Sequence, residues 1–588
     1  MVARARGSRL GPKTRWALGI VLVLLVVWMV VSVVVLWQAR QDTDEGLDAL
    51  ERARAELDGG GLLRGDATDD LREARDAFAS ANDRADGAVL APWKVVPLAG
   101  SNVKSVAALT EAAERVATVG ERTASESKQV LAEDPSDGAQ RLEMLEELED
   151  ISTRAGRDLD DIDLGPDFFL VEPLGDARQR FDERLAQLRD AIRGAREASQ
   201  GVQTLLRGPR KYLVLAANNA EMRAGSGMFL SAGVATFEDG EFSLSDMRST
   251  TELPVPAGAV PLPPELEELW GFVPVTEDWR YLATSPRFDV TAPLAADMWQ
   301  AATGEQVDGV LVVDPVALQA LLAAQGPIPG GREDGDGELT EDDVLEYLLL
   351  GQYLGLDIND TQNDRRDQLS TVARGAIDTL TTRPWNAGSL VEQLGDVGKG
   401  RHILAWSRDE VEQRAWEGAG VAGELDGDSL AVNLLNTGGN KLDQFVAIDA
   451  LLELEELDDG GHRARLHLTL TNAAPGDLPS YVGGPHPVTD LVAGEYQGIL
   501  TVNAPASGSI PKMRDATPLL VAGVDGPTKV AGSLVRIPRG ETREVEVRFR
   551  LPAPLETLVV EPSGRVPPIS WDADGELFDD TTPHLIEL

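Results

Sequence analysis

Residues Lys211 to Thr250 read KYLVLAANNAEMRAGSGMFLSAGVATFEDGEFSLSDMRST, and the rest of the chain is organised around them. Tyr212 to Ala217 is an apolar run of the length of one buried strand. The polar stretch Asn218-Asn219-Ala220-Glu221-Met222-Arg223 reads as a loop, closed by Ala224-Gly225-Ser226-Gly227. Two extended runs follow, Met228 to Phe237 and Glu241 to Met247, separated by Asp239-Gly240. Asp-Gly between such runs is a hairpin signal, because a tight primed turn needs positive φ at its central residues. The hairpin is expected to return Arg248 toward the loop of Arg223. Asn218, Asn219, Glu221, Arg223 and Arg248 are therefore the candidate ligand-binding residues, gathered at one end of a sheet.

Composition narrows the function classes. The chain has 588 residues, with 54 Lys+Arg against 98 Asp+Glu and a formal net charge of −44. A nucleic-acid partner is excluded on that balance, since such proteins need a basic footprint to displace counterions. There is no cysteine, so disulfides and thiolate metal sites are excluded. Five histidines, at 402, 462, 467, 486 and 584, form no close metal-ligand pair. Nucleophile elbows and a phosphate-binding GxxxxGK[ST] loop are missing from the sequence.

The N-terminus sets the compartment. Arg4, Arg6, Arg9, Lys13 and Arg15 precede Trp16 to Trp37, an uncharged run long enough to cross a hydrocarbon core of ~30 Å at ~1.5 Å per residue. The basic flank is expected to stay cytoplasmic and the bulk of the chain to lie outside, making this a single-pass protein of the cytoplasmic membrane.

Beyond the run, helical stripes dominate to about Gly208. Leu71, Ala74, Phe78 and Ala81 step by three and four, as do Val106, Leu109, Ala113 and Val116, and then Phe181, Leu185, Leu188 and Ile192. Ala91 to Gly100, APWKVVPLAG, interrupts them, and its apolar side chains face either the bundle or the membrane. Val307 to Val313 reads as a buried strand, and Asp314-Pro315 as the start of a helix. Another helix begins near Asp364-Arg365-Arg366-Asp367. Further on, Ala464 to Leu470 and Val545 to Leu551 alternate as half-buried strands. The expected order is a basic tail (1–15), a transmembrane helix (16–37), a helical bundle or stalk (38–208), a mixed α/β domain (209–432), a β-sandwich (433–566) and an acidic tail (567–588). The fold class is multidomain α+β.

Four runs carry a resemblance: YLVLAANNAEMRAGSGMF, TSPRFDVTAPLAADMW, VDGVLVVDPVALQALLAAQGPI and NKLDQFVAI. Together they resemble the bacterial family called domain of unknown function 4012, over roughly residues 205–450. That resemblance implies a cell-envelope setting, often with polysaccharide assembly, and no established activity. The order of arginine loop, hairpin, strand and arginine-bearing helix is also remotely similar to LytR-CpsA-Psr proteins. Those transfer glycopolymers from a polyprenyl pyrophosphate to peptidoglycan, usually with a divalent cation such as Mg. On that likeness Arg223, Arg248 and Arg365 or Arg366 fall where the family has its arginines, and Asp364 lies near its acid. Ala224-Gly225 replaces Ser-Asp, and Met247 and Ser249 flank Arg248. Glu221, Asp246 and Asp364 are then the candidate metal ligands.

Two function classes stay open. One is an envelope phosphotransferase-like enzyme acting on a lipid-linked glycan or cell-wall polymer. The other is a non-catalytic scaffold or a glycan- or protein-binding protein. Arginine suits the first because its planar fork gives paired, charge-assisted bonds to a pyrophosphate.

Overall fold

The computed structural model describes residues 12–58, 66–96, 99–329, 337–354, 363–486, 489–514 and 518–588, without the side chains of 12–26, 54–58, 66, 363–371 and 373. The chain divides into two compact units, Met1–Val130 with Asp150–Arg193, and Leu131–Glu149 with Gly194–Leu588.

The first unit is helical. Helix α1 (Pro12–Asp58) runs for 47 residues, roughly 70 Å. Among the described residues no helix is long and apolar enough to cross a membrane. The apolar run at 16–37 begins where side chains lie outside the described residues, as does the whole of 1–11. Helices α2 (Asp66–Asp86) and α3 (Ala99–Leu131) follow. Helices α4 (Gly138–Asp160) and α5 (Glu172–Arg207) each contribute residues to both units. The three-and-four stripes are what the unit buries. Ala49, Ala74, Phe78, Ala113 and Ala117 form one cluster, and Ala112, Val119, Ala155, Leu159 and Leu185 another. The bundle expected over 38–208 therefore ends early, with 131–149 and 194–207 folding with the second unit.

The second unit is built on a mixed sheet. Strand β1 (Arg210–Arg223) lies at its centre, antiparallel to β2 (Ser226–Glu238). Strands β3 (Glu241–Leu244) and β4 (Arg248–Ser249) pair with β2, β5 (Gly309–Val313) runs parallel to β1, and β6 (Ile403–Ser407) closes the far side. Asp239 and Gly240 have φ of 53° and 79°, the primed turn the sequence calls for. A Cβ on Gly240 would come within 2.1 Å of the Gly138 carbonyl oxygen, so only glycine fits under the start of α4.

Among the described residues, the helices that accompany this sheet are α6 (Pro264–Trp270), α7 (Phe288–Thr303), α8 (Pro315–Gln325), α9 (Glu341–Leu349), α10 (Asn363–Thr382), α11 (Ala387–Lys399) and α12 (Glu410–Gly418). Phe288, Leu294 and Met298 of α7 share a core with Leu213, Leu215, Val310, Val312 and Leu404 of the sheet. Asp314 caps α8, accepting from the Val316 and Ala317 amides at 2.9 and 3.0 Å.

A two-sheet sandwich completes the unit. Its strands are β7 (Ser429–Asn436), β8 (Val446–Glu456), β9 (His462–Asn472), β10 (Tyr496–Pro505), β11 (Lys512–Arg514), β12 (Leu519–Asp525), β13 (Thr528–Ile537), β14 (Thr542–Leu551), β15 (Thr557–Val560), β16 (Ser570–Ala573), β17 (Glu576–Asp579) and β18 (His584–Glu587). One sheet has the order β12-β13-β10-β7-β15-β18, the other β11-β14-β9-β8-β16-β17. Strand β8 alternates buried and exposed residues, as a strand with one face in a core must.

The segment after Pro567 is not a tail. Strand β16 runs parallel to β8, and β18 is antiparallel to β15. Ile569, Trp571 and Ala573 point inward at every second position, a period masked in the sequence by the acids between them.

Candidate functional site

The polar stretch 218–223 is not a loop either. It continues β1, and the register with β2 jumps between Asn218 and Met222, leaving Asn219, Ala220 and Glu221 as a bulge. The Asn218 side chain holds it by accepting from the Ala220 amide at 3.1 Å. Gly227 makes room opposite, since a Cβ there would lie 2.4 Å from the Asn218 carbonyl carbon. A bulge redirects side chains that a regular pleat would send to alternate faces. Here it turns four polar residues into a buried junction between the mixed sheet and the sandwich.

Each of the four has found a partner there. Asn219 donates to Asp314 Oδ2 at 2.7 Å and to the Gly564 carbonyl at 2.9 Å. Glu221 is ion-paired with Lys441, whose ammonium lies 4.8 and 5.3 Å from the rings of Tyr353 and Tyr481. Asn218 donates to Glu221 at 3.3 Å and to the Tyr353 hydroxyl at 3.4 Å. Arg223 is buried and commits Nε to the Arg280 carbonyl at 2.5 Å, and Nη1 to those of Met222 and Asn436 at 2.8 Å each. Burial pushes its guanidinium below the usual arginine range, despite the nearby Glu221 and Asp443.

Around this bulge sits a second ring that the sequence did not single out. Asp443 accepts from the Met222 amide at 3.1 Å, from Asn436 and Tyr496 at 2.8 Å each, and from Arg565 at 3.2 Å. Arg401 donates to the Gly225, Pro286 and Gly423 carbonyls. His402 meets Asp314 at 2.7 Å; burial opposes its charging, but the carboxylate outweighs this and holds the imidazole above its ordinary value. Lys441 and Asp443 lie in the NKLDQF run, so their motif was visible. Their charged partners were not, because Glu221 is 220 positions from Lys441 and Arg565 is 122 from Asp443.

The remaining candidates do not join this group. Arg248 pairs across from Ala232, six residues along β2 from Ser226 and roughly 20 Å from Arg223 at ~3.3 Å per residue. It is exposed and donates to the Glu252 carbonyl at 3.1 Å. Asp246 is exposed in the loop ahead of β4. Arg365 and Arg366 lie in the first turn of α10, and their side chains, like that of Asp364, are outside the described residues.

Among the described residues the donor set for a divalent cation is not assembled. Glu221 is neutralised by Lys441, and among the described residues no group of three or more His, Asp or Glu could hold a metal ion. Chemically, this junction is a lock: Glu221 is paired with Lys441 and Asp443 with Arg565, while Arg223 and Arg401 clamp main-chain carbonyls.

No curated protein and no solved structure matches the chain. Residues 207–353, which contain the hairpin, the bulge and Tyr353, match the family model described as Protein of unknown function (DUF4012). That match makes this segment, and not the chain as a whole, similar to the DUF4012 family.

Proposed function

We propose that this chain is a membrane-anchored, non-catalytic protein of the cell envelope, whose second unit is a rigid scaffold. One observation carries the reading: the polar residues of the family motif are committed to one another and to backbone carbonyls inside the protein. Arg223 is the clearest case. Taking up a pyrophosphate there would leave the Arg280, Met222 and Asn436 carbonyls short of a donor, at about 1–3 kcal/mol for each buried group so stranded. The anchor rests on the apolar run 16–37 and its basic flank, and the envelope setting on the family resemblance.

The test is a thermal melt of the full chain in detergent, with and without a polyprenyl pyrophosphate and Mg. A scaffold should melt at the same temperature in both, while Arg223→Lys should melt lower whether or not the lipid is present. A lipid-dependent rise in the wild type that vanishes in Arg223→Lys would restore the ligand-binding reading.

A further inference from the structure

We propose that two apolar loops of the first unit insert into the outer leaflet of the membrane beside α1, as a second point of attachment. The inference deepens the anchor reading above and rests on it.

The first loop is Gly87–Val96. It lies against α1 inside the apolar run: Trp28 donates through Nε1 to the Val89 carbonyl at 3.0 Å, and Trp93 donates through Nε1 to Ser32 Oγ at 3.0 Å. The two indoles stack with ring centroids 4.8 Å apart. Val27, Val30, Val33 and Val34 of α1 are exposed at the same level. Whatever medium surrounds those valines therefore surrounds this loop as well. If α1 crosses a bilayer over 16–37, the loop stands within its apolar zone.

The composition of the loop suits that medium. Val95 is 85% exposed, and Val96, Ala91 and Pro92 are also exposed. In a chain with 98 acidic residues, Lys94 is the loop's single charge, and it is ion-paired with Asp86. Much of its backbone is paired internally: Leu90 and Ala91 donate to the Gly87 carbonyl, Trp93 to Leu90 and Val96 to Trp93. Backbone buried in lipid must be satisfied in this way, since no water is present to do it.

The second loop lies beside the start of α3. Phe168 and Phe169 are 60% and 71% exposed, and Val171 is 59% exposed. The loop is tied down rather than free: Ser101 and Asn102 donate to the Phe168 and Phe169 carbonyls, and Asn102 accepts from the Val171 amide at 2.8 Å. Phe168 to Val171 carry no charge themselves, with the exposed acids Asp167 and Glu172 at either side, and exposed aromatic and branched side chains on such a rigid tip are the makings of an interfacial anchor.

The absence of cysteine makes the test direct. Single cysteines at Val30, Val95, Phe169 and Asp69 of the full chain would be spin-labelled in phosphatidylcholine–phosphatidylglycerol vesicles. Relaxation by oxygen, which partitions into lipid, is then compared with relaxation by an aqueous nickel chelate. The oxygen-to-nickel ratio should be several-fold higher at 30, 95 and 169 than at 69, an exposed position on α2. Labels at 95 and 169 that behave like 69, while 30 is in lipid, would overturn the insertion and leave the anchor standing. A label at 30 that also behaves like 69 would overturn the anchor itself. Poor access for both reagents at 95 and 169 would mean that protein covers these loops, most simply a second copy of the chain, and would also overturn the proposal. Val171→Cys repeats the measurement should Phe169→Cys fold poorly.

Discussion

Asp443 and Arg565 face each other at 3.2 Å across 122 positions of sequence, with 0% and 1% of their side chains exposed. Arg565 also reaches the Asp443 and Val446 carbonyls at 3.2 and 2.7 Å. Removing one member of such a pair strands the other charge in the interior, at about 3–5 kcal/mol. Asp443→Ala should therefore lower the urea midpoint sharply, and Asp443→Ala combined with Arg565→Met should recover part of the loss. Tryptophan fluorescence during urea titration would measure both. A single variant costing under about 1 kcal/mol would show that water reaches the pair.

Asp580 and His402 should each contribute to the pH dependence. Burial pushes the Asp580 carboxyl up to about 6, although it accepts from the Ser563 and Ile569 amides at 2.9 and 2.6 Å. An acid whose folded value is raised makes the fold more stable as pH falls from about 7 toward 4, by at most roughly 3 kcal/mol. His402 slopes the same way. Its contribution is fully present below its ordinary value and is lost as pH rises through its raised one. Urea midpoints at pH 5 and 7.5 should differ less in Asp580→Asn and in His402→Gln than in the wild type. An unchanged difference in both would exclude these groups as the source.

Gly240→Ala tests the turn. The residue would have to hold φ near +79° while its methyl group entered the space of the Gly138 carbonyl. Both effects destabilise, together by at least ~1–2 kcal/mol. Gly540→Ala is the comparison: φ is 77° there, but nothing lies within 4 Å of the added Cβ. Chemical denaturation should show the larger loss at 240. Equal losses would mean that the helix start does not press on the hairpin.

Limited proteolysis should leave residues 429–443 uncut. The Gly, Asn and Asp residues there suggest an exposed linker ahead of a separable sandwich, but β7 is an interior strand between β10 and β15, and Lys441 is buried. Mass spectrometry of tryptic fragments, taken before the unit unfolds, would detect cleavage after Lys441 if the strand were accessible.

Local signals in the sequence were legible wherever one residue type answers one steric demand. Asp239-Gly240 makes the primed turn, Asp314 caps its helix, and Gly304 ends α7 with φ of 80°. The bulge was not legible, because Asn218 to Arg223 has the polarity of a loop and owes its burial to partners from 436–443 and 564–565. Arg248 was misplaced for a geometric reason. Strand β3 pairs for only four residues, and the chain leaves the sheet edge before touching β2 again at Ala232. The last strands were hidden because their inward residues are few and spaced among acids.

The bond from Asn219 to the Gly564 carbonyl spans 345 positions, and it orders events in time as well as space. A ribosome works from the N-terminus, so every strand of the mixed sheet exists well before residue 564 does. Until then the bulge carries Asn219, and Arg565 is not yet there to neutralise Asp443. The nascent chain must keep these groups wet, or shielded by some other factor, through the synthesis of the entire sandwich. Late closure of this kind makes translation, rather than the finished fold, the stage at which the chain is most exposed to misassembly.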